Sequence, residues 1–119
     1  MTEETITEAL TDIRYNLRLI VEFTRNHTLT EFRTDYRTQY AVIRALEITG
    51  EASKCIPDSV RAEAASIPWK AMAGIRDRLI HAYDRVNVEL VWETVASTVP
   101  VVLDAVERLL ASRNALPRA

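Results

Sequence analysis

Arg76-Asp77-Arg78-Leu79-Ile80-His81-Ala82-Tyr83 brings a permanent cation, an imidazole and a phenol into eight residues. A guanidinium offers five donors in a rigid fork that matches phosphate oxygens. An imidazole takes or gives a proton near neutral pH. Such a set can handle a phosphodiester without a metal ion. In RNA the 2′-hydroxyl is an internal nucleophile, so removing its proton and stabilising the crowded phosphoryl oxygens is enough for cleavage. The products would be a 2′,3′-cyclic phosphate and a 5′-hydroxyl. Arg76 would then supply charge stabilisation and His81 the proton transfer. Arg78 could help hold the phosphate, and Tyr83 could stack on a base or bond to the phosphate. The competing reading is a solvated helix face, with Arg78 an ordinary exposed arginine and Tyr83 packed at a helix end.

On an ideal helix each residue turns about 100°. Asp77, His81 and Asp84 are spaced four and three, so Asp77 can accept a hydrogen bond from His81 and fix its tautomer. A helix C-terminus and two aspartates favour the imidazolium. Arg76 and His81 are five apart, about 140° round the axis. They converge only if the arginine reaches round, the helix distorts near its end, or another chain completes the site. The last case is a two-fold dimer interface. No metal or other cofactor is expected. His27 and His81 are far apart, there is one cysteine, and His27 reads as a surface loop residue. Asp77 and Asp84 have no further cation ligand. A phosphate-cradling glycine loop and a Gly-x-Ser-x-Gly elbow are both missing.

The motif needs helices to hold it, and the chain reads as helical throughout. Ile6, Leu10, Ile13, Leu17 and Ile20 form one apolar stripe over about Thr5 to Phe23. Arg14, Arg18 and Arg25 lie on another face, by default a solvated one. Thr28 or Thr30 can cap a new turn after Asn26-His27. A second long helix is predicted from about Asp35 to Lys54, with Tyr36, Tyr40, Ile43, Leu46 and Gly50 facing inward. Gly50 would permit close approach of another helix or mark a kink. Asp58 can cap a short helix ending near Ser66. Pro68 stands near the first turn of a third major helix running to about Tyr83. Asn87 can cap Val88 to about Thr98, and Pro100 opens a last helix with Val102, Val106, Leu109 and Leu110 inward. The expected fold is an all-α bundle of four or five main helices, one domain over 1–113, with a frayed tail at 114–119.

Composition narrows the function classes. The net charge of −2 argues against tight, non-specific nucleic-acid binding through overall charge, but leaves room for a local basic groove. Cations are thirteen arginines against two lysines, Lys54 and Lys70. No apolar run is long enough to span a membrane, and the acidic N-terminus does not read as a secretory signal. Cys55 cannot form an internal disulfide and reads as a small packed residue in a reducing cytoplasm.

The ordered residues resemble the HEPN superfamily (higher eukaryotes and prokaryotes nucleotide-binding). Its HepT-like toxin branch carries Arg-x4-His-x-Tyr, here Arg76, His81 and Tyr83. Further matching segments are Arg37-Thr38-Gln39 with Ala41-Val42-Ile43-Arg44, Gly50-Glu51-Ala52, Ile67-Pro68-Trp69, Gly74-Ile75-Arg76-Asp77 with Leu79-Ile80-His81, and Val91-Trp92-Glu93-Thr94-Val95. The resemblance implies a helical homodimer with the motif helices meeting across a cleft. It also implies a metal-independent endoribonuclease toxin that acts on RNA. The partner it implies is a cognate nucleotidyltransferase antitoxin, which in some pairs neutralises the toxin by AMPylation of the motif tyrosine, here Tyr83. A non-catalytic scaffold that binds a nucleotide or partner is the alternative within the same superfamily. The chain departs from the branch at Tyr40, where an acid is common, at Asp77, often asparagine, and over Asp84-Arg85-Val86-Asn87.

Overall fold

The computed structural model describes residues 2–81 and 85–114, with backbone alone at 80, 81, 85 and 114. Three long segments make the frame: α1 (Glu3–Thr24), α3 (Tyr36–Lys54) and α8 (Val99–Asn114). Between them lie α2 (Leu29–Thr34), α4 (Asp58–Arg61) with a 3-10 turn at Ala62–Ala64, α5 (Trp69–Ala73), α6 (Ile75–Leu79) and α7 (Val88–Glu93). Two two-residue strands, β1 (Ile80–His81) and β2 (Arg85–Val86), pair antiparallel between α6 and α7. The expected all-α bundle is therefore present. Among the described residues no helix is long and apolar enough to cross a membrane.

The α1 stripe behaves as its spacing demands. Ile6, Leu10, Ile13, Leu17 and Ile20 are all buried against α3 and α8. Thr2 caps α1 through Thr5 N, and Asn26 ends the region in a left-handed conformation (φ 65°), which asparagine tolerates better than most residues. Thr28 and Glu31 form a reciprocal capping box on α2. Phe32 of α2 packs on Trp92 of α7, ring centroids 5.2 Å apart.

Helix α3 corrects the expected inward face. Tyr36 and Tyr40 are exposed; Gln39, Val42, Ala45, Leu46, Thr49, Gly50 and Ser53 are buried. The buried polar members satisfy themselves on backbone. Gln39 donates to the carbonyls of Phe32 (2.7 Å) and Arg33 (3.0 Å), Thr49 to Ala45 and Ser53 to Thr49. A polar side chain with such a partner is tolerated inside, and the apolar count shifts by one position. Cys55, expected to be packed, is exposed just beyond α3.

Asp58 is the first residue of α4 rather than its cap, which is Pro57 and gives no side-chain bond. Trp69 starts α5 and donates its indole N–H to the carbonyls of Arg61 (3.2 Å) and Ala64 (3.1 Å). Arg61 in turn donates to the carbonyls of Ile56 and Ser53, both at 2.9 Å. The third helix does not run unbroken to Tyr83. It breaks at Gly74 and ends at Leu79, where the Leu79 carbonyl accepts Asn87 N–H at 3.1 Å. Asn87 caps α7 through Leu90 N, as expected. The two predicted C-terminal helices are one continuous arm, α7 and α8 joined by a π turn at Thr94–Thr98. A proline ring clashes with the carbonyl four residues back in a regular helix. The wider π turn just before Pro100 accommodates that ring. Of the expected frayed tail, 115–119 lie outside the described residues.

Candidate active site

The site is built where α3 crosses the junction of α5 and α6. Gly50 makes that crossing close: a Cβ there would stand 3.0 Å from the Met72 carbonyl oxygen and 3.1 Å from Ile75 Cγ2. Its glycine serves close approach rather than a kink. Ile75 and Leu79 are buried and pin α6 to the core. One turn before Gly50, Glu47 projects toward α6. Its Oε2 lies 3.6 Å from Nε of Arg76.

Arg76 therefore sits at the surface with a carboxylate beside it. Its side chain is 69% exposed and that of Glu47 only 26%. The separation is longer than a hydrogen bond, so the guanidinium keeps its donors for an anion. Asp77 and Arg78 are exposed on the same short helix. Asp77 N and Arg78 N both reach the Gly74 carbonyl, at 3.1 and 3.3 Å. Arg78 borders a cavity of about 240 Å³ whose other walls include Met72, Ile75, Leu90 and Glu93.

The backbone at His81 is extended and pairs with Arg85. The helical relations drawn from 100° per residue do not apply there. Asp77 and His81 are not an i,i+4 helical pair, and the 140° angle between Arg76 and His81 has no helix to refer to. The His81 side chain, Tyr83 and Asp84 lie outside the described residues. The structure thus brings Arg76, Asp77 and Arg78 onto the solvent side of one short helix that ends two residues before His81.

Glu47 is the residue that sequence reasoning passed over. Its signal was available: it precedes Gly50 by three positions, so a helix drawn close at Gly50 must also meet Glu47.

A family model described as Ribonuclease HepT-like matches residues 13–109. The chain is 48% identical over 100 residues to "Probable ribonuclease HepT" of Thermococcus cleftensis, covering 84% of this chain and 91% of that one. It is 39% identical over 110 residues to "Putative RNase MJ0127" of Methanocaldococcus jannaschii, covering 92% and 91%. It is 35% identical over 101 residues to "Putative RNase TTE0752" of Caldanaerobacter subterraneus subsp. tengcongensis, covering 85% and 90%. No solved structure matches the chain. A match of this extent, on a helical frame that presents Arg76 beside Glu47, makes the chain a member of the HepT-like ribonuclease family of the HEPN superfamily.

Proposed function

We infer that the protein is a metal-independent endoribonuclease toxin, restrained by a nucleotidyltransferase antitoxin. The observation that carries the reading is the Arg76 guanidinium, exposed beside Glu47 and five residues before His81, on a helix that ends at Leu79. A cation placed there stabilises charge that develops on a phosphoryl group. His81 removes the 2′-hydroxyl proton and, once protonated, serves the departing 5′-oxygen. Arg78 adds a second phosphate contact, and Asp77 tunes the field around both arginines. Because the nucleophile belongs to the RNA, the protein has to supply only proton transfer and charge.

Two copies of the chain, related by a two-fold axis, bring their motif segments to one cleft. Tyr83, two residues beyond His81, is the acceptor for AMP from the antitoxin. An adenylyl phosphate on Tyr83 places an anion near Arg76 and competes with the substrate phosphate.

The test compares the wild type with Arg76→Ala and His81→Ala. Wild-type expression slows growth, and the purified chain cleaves RNA with chelator present, leaving 2′,3′-cyclic phosphate ends. Each variant loses at least about a hundredfold in cleavage. Equal cleavage by all three chains refutes the catalytic assignment. Mass spectrometry after co-expression with the antitoxin should find AMP on Tyr83, and none on a Tyr83→Phe chain.

A further inference from the structure

Two large aromatic side chains stand in solvent on the outer face of α3. Tyr36 is 68% exposed and Tyr40 77%. At 100° and 1.5 Å per residue they share one side of the helix, about 6 Å apart along its axis. Glu47 lies within about 40° of the same line, about 10 Å beyond Tyr40, and ends the row on Arg76. Arg37 and Arg44 are exposed on its flank. Neither is held in an ion pair among the described residues.

Packing does not account for this face. The core side of α3 is filled by Val42, Leu46 and self-satisfied polar residues. Aromatic rings have the most to gain from burial, yet here two are turned to water beside arginines with no ion-pair partner among the described residues. Bases stack on such rings irrespective of sequence, and arginines hold the intervening phosphates. A two-fold contact between copies through this face would bring arginine flanks together, whereas a polyanion neutralises them.

We propose that Tyr36 and Tyr40 form a stacking track for single-stranded RNA, which Arg37 and Arg44 hold by its phosphates and which leads the strand to Arg76. This rests on the ribonuclease reading above. Stacking on an aromatic side chain is worth about fivefold to 150-fold in affinity per base.

The test uses the full chain with His81→Ala, so that substrate survives, and fluorescein-labelled oligouridine read by anisotropy. Adding Tyr36→Ala and Tyr40→Ala weakens binding at least about tenfold, while the paired phenylalanine substitutions stay within about threefold, because the ring alone stacks. Arg37→Ala and Arg44→Ala each weaken binding and lower the salt slope by about one. Unchanged affinity in the double-alanine chain overturns the track. So does failure of the His81→Ala chain to bind oligouridine while the wild type still cleaves RNA. A double-alanine chain with half the wild-type mass by light scattering overturns it too, since the face would then be a subunit contact. Full cleavage by the His81→Ala chain instead removes the catalytic reading, and the same anisotropy comparison with 2′-O-methyl oligouridine, which lacks the 2′-hydroxyl nucleophile, then decides the track.

Discussion

At His27 one ring holds the α1–α2 turn against the start of α3. Nε2 of His27 lies 3.1 Å from Oδ2 of Asp35. Asp35 also accepts Thr38 N–H at 3.0 Å and the Thr38 hydroxyl at 2.5 Å. The Asp35 hydrogen bond raises the His27 pKa above its ordinary 6.5. The Thr38 bonds, followed by His27, lower that of Asp35 from 3.8 to about 2. A raised histidine stabilises the fold below its ordinary value and loses that contribution as pH rises through the folded pKa. A lowered carboxyl stabilises above its ordinary value and loses it as pH falls through about 2. The pair therefore contributes fully from above 3.8 to below 6.5. Both side chains are partly solvated, which keeps the effect small. Thermal midpoints taken from about pH 6 upward should decline in the wild type, and less in His27→Gln. Parallel profiles would show that the pair is not coupled to folding. From sequence His27 read as a surface loop residue, and its partner was not visible because Asp35 stands beyond the intervening α2, at the N-cap of α3.

Among the elements, the crossing at Gly50 sets α6, and with it Arg76, against α3. Alanine normally favours a helix over glycine by about 1 kcal/mol. At Gly50 the added methyl meets a backbone oxygen at 3.0 Å, which cannot swing aside as a side chain would. Overpacking of this kind costs about 1–3 kcal/mol, so Gly50→Ala should lower the denaturation midpoint and, by shifting α6 from Glu47, lower cleavage. Gly74→Ala is the control. Its nearest new contact is 3.6 Å and its φ of −95° suits any residue, so stability should hold or rise. A Gly50→Ala chain as stable as wild type would refute the close-crossing argument. Helix starts were largely legible, since Thr28 and Asn87 cap as their chemistry predicts. The phase of α3 was not, because counting tyrosine as apolar outweighed small polar residues that bond to their own helix. The end of α6 was also hidden: it depends on Asn87 reaching back eight residues to Leu79, and no local breaker marks it.

Across the whole molecule, Arg113 joins three distant segments. Its side chain, 8% exposed, pairs with Glu63 after α4 at 3.2 Å and with Glu3 at the start of α1. One guanidinium thus ties both ends of the described chain to its middle. Arg113→Met keeps much of the stem and removes the charge, and should cost about 1–2 kcal/mol. For a domain of this size that is a midpoint drop of several degrees, measurable by calorimetry; no drop would mean the cluster is spectator charge. The helical class, the single core and the family were readable from patterning and the ordered motif. Contacts spanning about a hundred residues were not, because charged residues carry no sequence mark of which distant acid they meet.

The sole thiol offers a practical handle. Cys55 is exposed beyond the end of α3, about 28 Å along that helix from Tyr36. A maleimide dye would therefore attach at one place without mutagenesis. Mixing donor- and acceptor-labelled protein would make energy transfer a direct gauge of whether chains assemble.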